Sequence, residues 1–261
     1  MLKRLLLILL LLTASAQAAA TDYTDIWFNP AESGWGVNVV QSDAFIFLTF
    51  FIYGPDNKPT WYVASVTQDA SGNFNGPLYS TNGYGTSFAL PWVPPPPPGG
   101  TQVGTASFQP TGPSTARLVY MLTSGPILAP VAKVIQRQTL TAITVGGTYS
   151  GAQNGAYSSC SISANNAPYT DFFNLQVTQL SNGTVTFAFT YEAFNCTFSG
   201  TLVQQGQLYS VPGASYQCAS DPTFSANLTE IKATAQGIEG KFSALVGGNC
   251  REDAHFSAVL Q

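Results

Sequence analysis

Charged side chains are scarce in this sequence. Only 8% of the 261 residues are Asp, Glu, Lys or Arg, and there is a single His, whereas an average soluble domain is about 25% charged. Long solvent-exposed helices are therefore not expected. Nucleic-acid binding is also excluded, because it depends on Lys and Arg that neutralise phosphates, and here 9 basic residues stand against 13 acidic ones.

Long apolar runs are also lacking, apart from a short one at the start. Residues 1–18 have the features of a secretory signal: Lys3 and Arg4, an apolar stretch at 5–12, and Ala-Gln-Ala at 16–18 as the cleavage site. The stretch falls well below the roughly 20 residues that a helix needs to span a bilayer. We therefore predict a protein that does not span the membrane and lies outside the cytoplasm, secreted or periplasmic.

Cysteine is present in an even number, and all four residues lie in the second half: Cys160, Cys196, Cys218 and Cys250. In an exported chain this favours disulfides over metal ligands, and no phosphate loop or dinucleotide fingerprint is found. The sequence thus predicts neither a metal site nor a cofactor. Cys196 and Cys218 lie symmetrically about a Gly-containing turn at 205–207, which favours that pair and leaves Cys160 with Cys250. A Cys218–Cys250 bond around a turn at 236–237 remains the alternative.

Short runs rich in Val, Ile, Thr, Phe and Tyr, separated by Gly and Pro, predict an all-β chain. Because the cysteines occur only in the second half, we expect two antiparallel meander domains, each a barrel or a sandwich, with the disulfides in the second. The first would cover 19–143 and the second 144–261. The five prolines at 94–98 predict an extended polyproline loop at the surface of the first domain.

The clearest strand pair in the sequence lies at 173–191, where apolar and polar residues alternate on both sides of Ser-Asn-Gly at 181–183. A two-residue loop would place the two apolar faces on opposite sides of the sheet. A three-residue loop with Gly183 in the left-handed conformation brings them to the same side. It predicts three cross-strand pairs: Phe173 with Tyr191, Leu175 with Phe189, and Val177 with Phe187.

Two further segments carry specific expectations. The run at 45–52 is apolar at nearly every position, which predicts a central strand buried on both faces. The segment 228–233 fits either a strand or a helix, since Leu228 and Ile231 also have a helical spacing. We favour the strand there.

Residues 29–36 read Asn-Pro-Ala-Glu-Ser-Gly-Trp-Gly, and Pro-Thr-Trp-Tyr-Val follows at 59–63. This pattern resembles a recurrent module of exported bacterial β-rich proteins that carries an N-P-x-E-S-G-W-G signature. The second half is similar to a cysteine-bearing β module that often accompanies it, through residues 196–200 and 213–218. The resemblance implies an exported β protein and no particular reaction, because none is assigned to the group.

Aromatic residues and one acidic residue are the candidate ligand-binding groups of the first half: Trp27, Glu32, Trp35, Trp61 and Trp92. Aromatic platforms with few charges suit sugar rings and apolar ligands. Most of these rings are nevertheless expected to lie in the core, and Trp27 or Trp92, at strand ends or in loops, would have to be exposed to bind a ligand. In an enzyme, Glu32 would be the catalytic residue. Its apolar neighbours would raise its pKa, and a second carboxylate, Asp25 or Asp43, would complete a glycosidase pair.

The alternative for Glu32 is a structural one, in which it accepts backbone N–H bonds from the turn that follows it. His255, the only imidazole, is expected to be an ordinary strand residue and not the base of a catalytic triad. The predicted function is thus a secreted, non-enzymatic binding or interaction module, with carbohydrate or a small apolar ligand as partner. The alternatives are a β-barrel that carries a small apolar ligand in its lumen and a carbohydrate-active hydrolase that uses Glu32. Nothing in the sequence selects an oligomeric state.

Overall fold

The computed structural model describes residues 20–54, 56–81, 100–123 and 129–261. These residues contain no α-helix, and their strands form two antiparallel barrels. The all-β prediction is confirmed, and both halves are barrels, not sandwiches. Within the same ranges no helix has the length and apolar character needed to cross a membrane. The predicted signal at 1–18, the polyproline loop at 94–98 and Trp92 lie outside the described residues.

The chain divides into two compact units, and each contains one barrel. One unit consists of Thr21–Ala142 with Gln204–Gln207, and the other of Ile143–Val203 with Leu208–Gln261. The ranges 19–143 and 144–261 stay a prediction of where independent domains begin and end.

The first barrel is a meander of eight strands in sequence order. It closes because β1 pairs with β2 on one side and with β8 on the other, where Trp27 lies opposite Arg137. Its strands are β1 (Asp25–Phe28), β2 (Gly36–Ser42), β3 (Phe45–Tyr53), β4 (Pro59–Gln68), β5 (Phe74–Thr81), β6 (Gly100–Gly112), β7 (Thr115–Leu122) and β8 (Val131–Arg137).

Large side chains fill the interior of the first barrel. Trp27, Phe74 and Phe108 are fully buried, and the rings of Trp27 and Phe108 meet edge to face with their centroids 5.1 Å apart. A buried ion pair lies beside them, with 3.2 Å between Arg137 Nη1 and Asp25 Oδ2. The Arg137 guanidinium also covers the Trp27 ring at 5.0 Å, so the positive charge has both an anionic and an aromatic partner inside the protein.

The expectation that the run at 45–52 is buried on both faces is wrong. Ile46, Leu48 and Phe50 point into the barrel and are buried, whereas Phe45, Phe47 and Phe51 on the opposite face are exposed. The reason is the architecture. One closed sheet has only one interior face, so the alternate residues of β3 face outward whatever their hydrophobicity.

The second barrel uses nine strands, of which the short β13 is not needed for closure. The sheet runs β12-β11-β10-β9-β17-β16-β15-β14-β13, and a further β12–β14 pairing closes a ring of eight. The strands are β9 (Gly147–Ser158), β10 (Pro168–Gln179), β11 (Thr184–Thr190), β12 (Asn195–Thr201), β13 (Val203–Gln205), β14 (Leu208–Cys218), β15 (Phe224–Ala233), β16 (Gly237–Val246) and β17 (Cys250–Leu260). Two 3₁₀ turns, Ser163–Asn165 and Gly247–Asn249, lie in the connections.

The predicted hairpin is found as β10 and β11. Leu175 lies opposite Phe189 and Val177 opposite Phe187, and Gly183 closes the three-residue loop with φ +85°. The predicted register is therefore confirmed for these two pairs. The ambiguous segment 228–233 is confirmed as strand, since it belongs to β15.

Both predicted disulfides are present, and no free cysteine remains among the described residues. Cys196 and Cys218 are directly opposite each other in the β12–β14 ladder. Cys160 follows β9, and its partner Cys250 begins β17, the neighbouring strand in the barrel. The two bonds thus link strands that the ladder already pairs.

Candidate functional site

Trp27 is not exposed, contrary to what its predicted role in binding requires. Its side chain has 0% relative exposure in the core of the first barrel, and its indole N–H donates a hydrogen bond to the Tyr23 carbonyl oxygen at 3.0 Å. The reason is that β1 is a regular barrel strand, on which Trp27 takes an inward position. It acts here as a core residue.

Glu32 is bound by two side chains from opposite ends of the first half. Lys133 Nζ donates to its two carboxylate oxygens at 2.8 and 2.9 Å, and the Trp35 indole N–H donates to Oε2 at 3.0 Å. The hydrogen bond from Lys133 lowers the pKa of Glu32, and this outweighs the opposite effect of burial. The expected rise in pKa is therefore wrong.

The structural alternative for Glu32 is also wrong in its detail, because the partners of the carboxylate are side chains and not backbone N–H groups. Of the two suggested second carboxylates, Asp25 is held in the buried pair with Arg137. Asp43 lies at positive φ in the β2–β3 turn. An ionised, lysine-bound Glu32 suits a structural clamp and not a general acid, which must carry a proton.

Trp61 lies on the outer surface of the first barrel, with 55% of its side chain exposed. It is directly opposite Phe51 in the β3–β4 ladder, and its indole N–H is held by Thr81 Oγ1 at 3.1 Å. We call the exposed apolar residues of β2, β3 and β4 the outer aromatic face: Val40, Phe45, Phe47, Phe51, Tyr53 and Trp61. Trp35 is half-buried beside Glu32 and packs against the core instead.

The second barrel contains a cavity of about 660 Å³, and none of its lining residues was proposed from the sequence as a ligand-binding group. It lies at one end of the barrel, where β9, β14 and β16 finish and β10, β12, β15 and β17 begin. We call it the end cavity. The residues that line it and matter below are aromatic or acidic: Tyr157, Tyr169, Asp171, Tyr191, Phe194, Tyr216, Asp221, Phe224 and Glu252.

Glu252 is the central polar group of the end cavity. It is 3% exposed and accepts hydrogen bonds from three tyrosine hydroxyls on three other strands. Tyr169 and Tyr157 donate to Oε1 at 2.6 and 3.2 Å, and Tyr216 donates to Oε2 at 3.0 Å. A buried carboxylate is tolerated only when it is well hydrogen-bonded, and these three donors fulfil that condition.

Burial controls the ionisation of this cluster. It raises the pKa of Glu252, against the opposing effect of the tyrosine hydrogen bonds. It also raises the pKa of Tyr157, Tyr169, Tyr191 and Tyr216, and the nearby negative charge of Glu252 raises them further. The tyrosines therefore stay protonated and act as donors over the whole physiological pH range.

Paired aromatic rings form part of the wall of the end cavity. Tyr157 and Tyr169 lie with their centroids 5.2 Å apart and their planes tilted by 30°. Tyr191 stacks on Phe194 at 4.7 Å, and its hydroxyl donates to Gln153 Oε1 at 2.8 Å. Each tyrosine hydroxyl has an acceptor, so the rings are held in fixed orientations before any ligand enters.

The disulfides lie at the same end of the barrel as the cavity. Cys196 and Cys218 line it directly, and Cys250 is two residues before Glu252 on β17. Cross-links at this end hold the ends of neighbouring strands together, where the strands of a barrel would otherwise fray. A cavity at the open end of an otherwise packed barrel benefits from such cross-links.

Glu252 was not identified as a site residue in the sequence analysis, although the sequence carries a signal for it. One face of β17 is buried and carries Cys250, Glu252, Ala254 and Phe256. All of these residues except Glu252 are small or apolar. A lone carboxylate on the buried face of a strand marks a functional candidate. His255 is confirmed as a strand residue, with Lys241 and Asn154 as its cross-strand neighbours.

No group of three or more His, Cys, Asp or Glu side chains that could hold a metal ion occurs in the described part of the chain. No family model matches the sequence, and no curated protein matches it either. Among solved structures, a protein of unknown function from the DUF3598 family of Nostoc punctiforme is similar at 9% identity. The match covers 90% of this chain and 93% of that one, with a TM-score of 0.28. A likeness at that score carries no argument about this protein.

Proposed function

We propose that this protein is an exported, non-enzymatic binding protein whose second barrel takes up a small ligand in the end cavity. The observation that carries the proposal is the cavity itself, about 660 Å³ in volume. Sites for small molecules typically occupy about 300–1,000 Å³ and combine apolar walls with a few fixed polar groups. Here the walls are aromatic rings, and the fixed polar group is Glu252.

The two barrels differ in the way that this proposal requires. Trp27, Phe74 and Phe108 fill the first barrel, whereas the second leaves one end open between tyrosine rings. The disulfides support the extracytoplasmic location, because such bonds persist in oxidising compartments. A binding protein that works there needs a cavity that holds its shape, which the two cross-links at this end favour.

The proposal is tested by filling the end cavity with a side chain. Gly247 lines the cavity, and a Cβ built there meets only Phe224 Cζ, at 4.0 Å. Gly247→Trp therefore introduces an indole at the wall of the cavity, beside Phe224, without a backbone clash. Leu245→Trp is the matched control, since Leu245 lies two residues earlier with 66% of its side chain exposed.

Three probes of similar shape cover the three charge classes: choline, 3,3-dimethylbutan-1-ol and 3,3-dimethylbutanoate. Binding is measured by saturation-transfer NMR on their methyl groups and by thermal unfolding. We expect at least one probe to bind the wild type and Leu245→Trp, and to lose binding in Gly247→Trp. If none binds at millimolar concentration, or if Gly247→Trp binds as well as the wild type, the proposed function is wrong.

The outer aromatic face supports a second binding role, towards carbohydrate. Its rings are exposed, and Phe51 and Trp61 are directly opposite each other on neighbouring strands. Nearby positions on these strands carry neutral groups such as Thr49 and Ser65. Sugar rings offer C–H faces to aromatic side chains and hydroxyls to neutral polar ones. An uncharged platform of this kind fits an uncharged polysaccharide.

This second role is tested by co-sedimentation with insoluble cellulose and chitin. Trp61→Ser removes an exposed ring and is expected to change stability by only about 0.5 kcal/mol or less, while the bound fraction falls severalfold. Val134→Ser, on β8 of the same barrel and 70% exposed, is the control and should bind like the wild type. Equal binding by wild type and Trp61→Ser would eliminate the role of this face.

A further inference from the structure

The end cavity is lined by acidic side chains, and no basic side chain lines it among the described residues. Three carboxylates line it, those of Asp171, Asp221 and Glu252, and none of the described lining residues is Lys, Arg or His. The ion pairs found among the described residues do not include any of the three. Acidic side chains thus lie together at a cavity large enough for a small ligand.

The hydrogen bonds of Glu252 favour its charged form. All three partners are O–H donors that direct their protons to its two carboxylate oxygens. An ionised carboxylate accepts such bonds at both oxygens, whereas a protonated one would present its own hydrogen to one of these donors. These hydrogen bonds stabilise the ionised carboxylate while burial opposes its charge, so a cation beside Glu252 would favour ionisation.

The walls of the cavity add a second, independent attraction for a cation. The faces of tyrosine and phenylalanine rings carry negative electrostatic potential, and a cation near such a face is stabilised by about 0.5–2 kcal/mol. Six aromatic residues line the cavity: Tyr157, Tyr169, Tyr191, Phe194, Tyr216 and Phe224. A metal ion would not use these faces. It would also find no group of three acidic, Cys or His ligands among the described residues.

We propose that the end cavity binds the ammonium head of a small organic cation, with the aromatic rings around the head and Glu252 as its counter-charge. This inference rests on the proposed function, since it names the chemical class of the ligand in that cavity. The cavity is large enough for a substituent several times the size of the head group. A primary, secondary or quaternary ammonium satisfies the same two requirements, positive charge and an apolar surface.

The first experiment compares choline with 3,3-dimethylbutan-1-ol on the wild-type protein. The two probes have almost the same shape, and the neutral one replaces the ammonium nitrogen with carbon. We expect choline to bind at least about tenfold more tightly, as cation–aromatic attraction and the carboxylates act together. Should the neutral probe bind equally well or better, the cavity takes a ligand but not a cation. If neither binds but 3,3-dimethylbutanoate does, the inference of a cationic ligand is overturned and the proposed function stands. If none of the three probes binds, this inference and the proposed function fail together.

The second experiment removes the counter-charge. Glu252→Gln keeps the size of the side chain and one acceptor oxygen, and we expect choline affinity to fall about tenfold or more while binding of 3,3-dimethylbutan-1-ol changes little. Glu239→Gln makes the same change of net charge at an exposed position on β16, and it should bind both probes like the wild type. An equal loss for both probes in Glu252→Gln would show a structural role and contradict the inference, and so would unchanged choline binding. The wild-type comparison of the two probes decides the question if Glu252→Gln does not fold.

Discussion

Removing one disulfide at a time from the second barrel should destabilise it by different amounts. The Cys160–Cys250 bond spans 90 residues and the Cys196–Cys218 bond spans 22. Because the shorter loop lies inside the longer one, the remaining bond bypasses 22 residues and reduces the effective length of the long loop to roughly 68. The chain-entropy relation then gives a loss of about 4.4 kcal/mol for Cys160/Cys250→Ala and about 3.4 kcal/mol for Cys196/Cys218→Ala.

The distribution of tryptophan allows the two barrels to be followed separately. All four tryptophans precede residue 93, so tryptophan fluorescence reports on the first barrel, whereas far-UV circular dichroism reports on the strands of both. In urea, with a slope of about 2 kcal/mol/M, the second-barrel transition should move down by about 2.2 M and 1.7 M in the two variants. The fluorescence transition should stay in place in both.

The order of the two losses is the critical result. If Cys196/Cys218→Ala costs more than Cys160/Cys250→Ala, the bonds act through native packing around the cavity and not through the entropy of the unfolded chain. If the fluorescence transition shifts together with the circular-dichroism transition, fluorescence does not report on the first barrel alone, and this reasoning is contradicted.

Three further predictions concern single side chains. Glu252 has a raised pKa in the folded protein, so its contribution to stability is complete below the pKa of the unfolded chain and disappears as pH rises through the folded pKa. Urea unfolding should show this loss as about 1.4 kcal/mol for each pH unit between the two pKa values, and Glu252→Gln should abolish it. Tyr169→Phe removes a 2.6 Å hydrogen bond to that carboxylate and should lower the free energy of unfolding by about 2 kcal/mol in the same assay. Tyr191→Phe, which loses a hydrogen bond to a neutral amide, should lower it by about 1 kcal/mol. The reverse order would refute a charged acceptor at Glu252. Glu32 has a lowered pKa, so it stabilises the first barrel above its unfolded pKa and loses that effect in acid. Tryptophan-monitored unfolding should show Glu32→Gln weaker than wild type at neutral pH and equal to it in acid, and a difference independent of pH would contradict the Lys133 pair.

Local patterns in the sequence were sufficient to predict strands, turns and disulfides. The hairpin at 173–191 could be given a register because its two apolar faces must lie on the same side of the sheet, and only one loop length allows this. The pairing of Cys196 with Cys218 followed from symmetry about one turn. Both arguments use contacts between segments that are neighbours in the sequence.

The errors arose where the answer depends on the closure of the sheet. The run at 45–52 does not indicate whether one or two of its faces are covered, because that depends on whether a second layer exists. Closure likewise brings Trp27 on β1 against β8, more than 100 residues later, and so places the ring inside. Lys133, which lowers the pKa of Glu32, comes from β8 as well, and no local pattern predicts that contact.

The end cavity was missed for the same reason, since its wall takes residues from the ends of most strands of the second barrel. Tyr157, Tyr169 and Tyr216 are separated in sequence and converge on Glu252 only in the closed ring. Each of them looks like an ordinary strand tyrosine when it is considered alone. A polar cluster assembled by topology can be recognised only once the strand order is known.

The buried charged residue of the first barrel has an oppositely charged partner, whereas the buried acidic residue of the second has none among the described residues. This difference is the strongest reason to place the ligand in the second barrel. Arg137 in the first barrel is matched by Asp25 at 3.2 Å and by the face of Trp27, so its charge is neutralised within the chain and needs no further partner. Glu252 has three hydroxyl donors but no cation among the described residues. Hydroxyls orient and solvate a carboxylate without cancelling its charge, and an uncancelled buried charge lowers stability. A buried carboxylate without a cationic partner, beside an open cavity lined with aromatic rings, is a candidate site for a positively charged ligand.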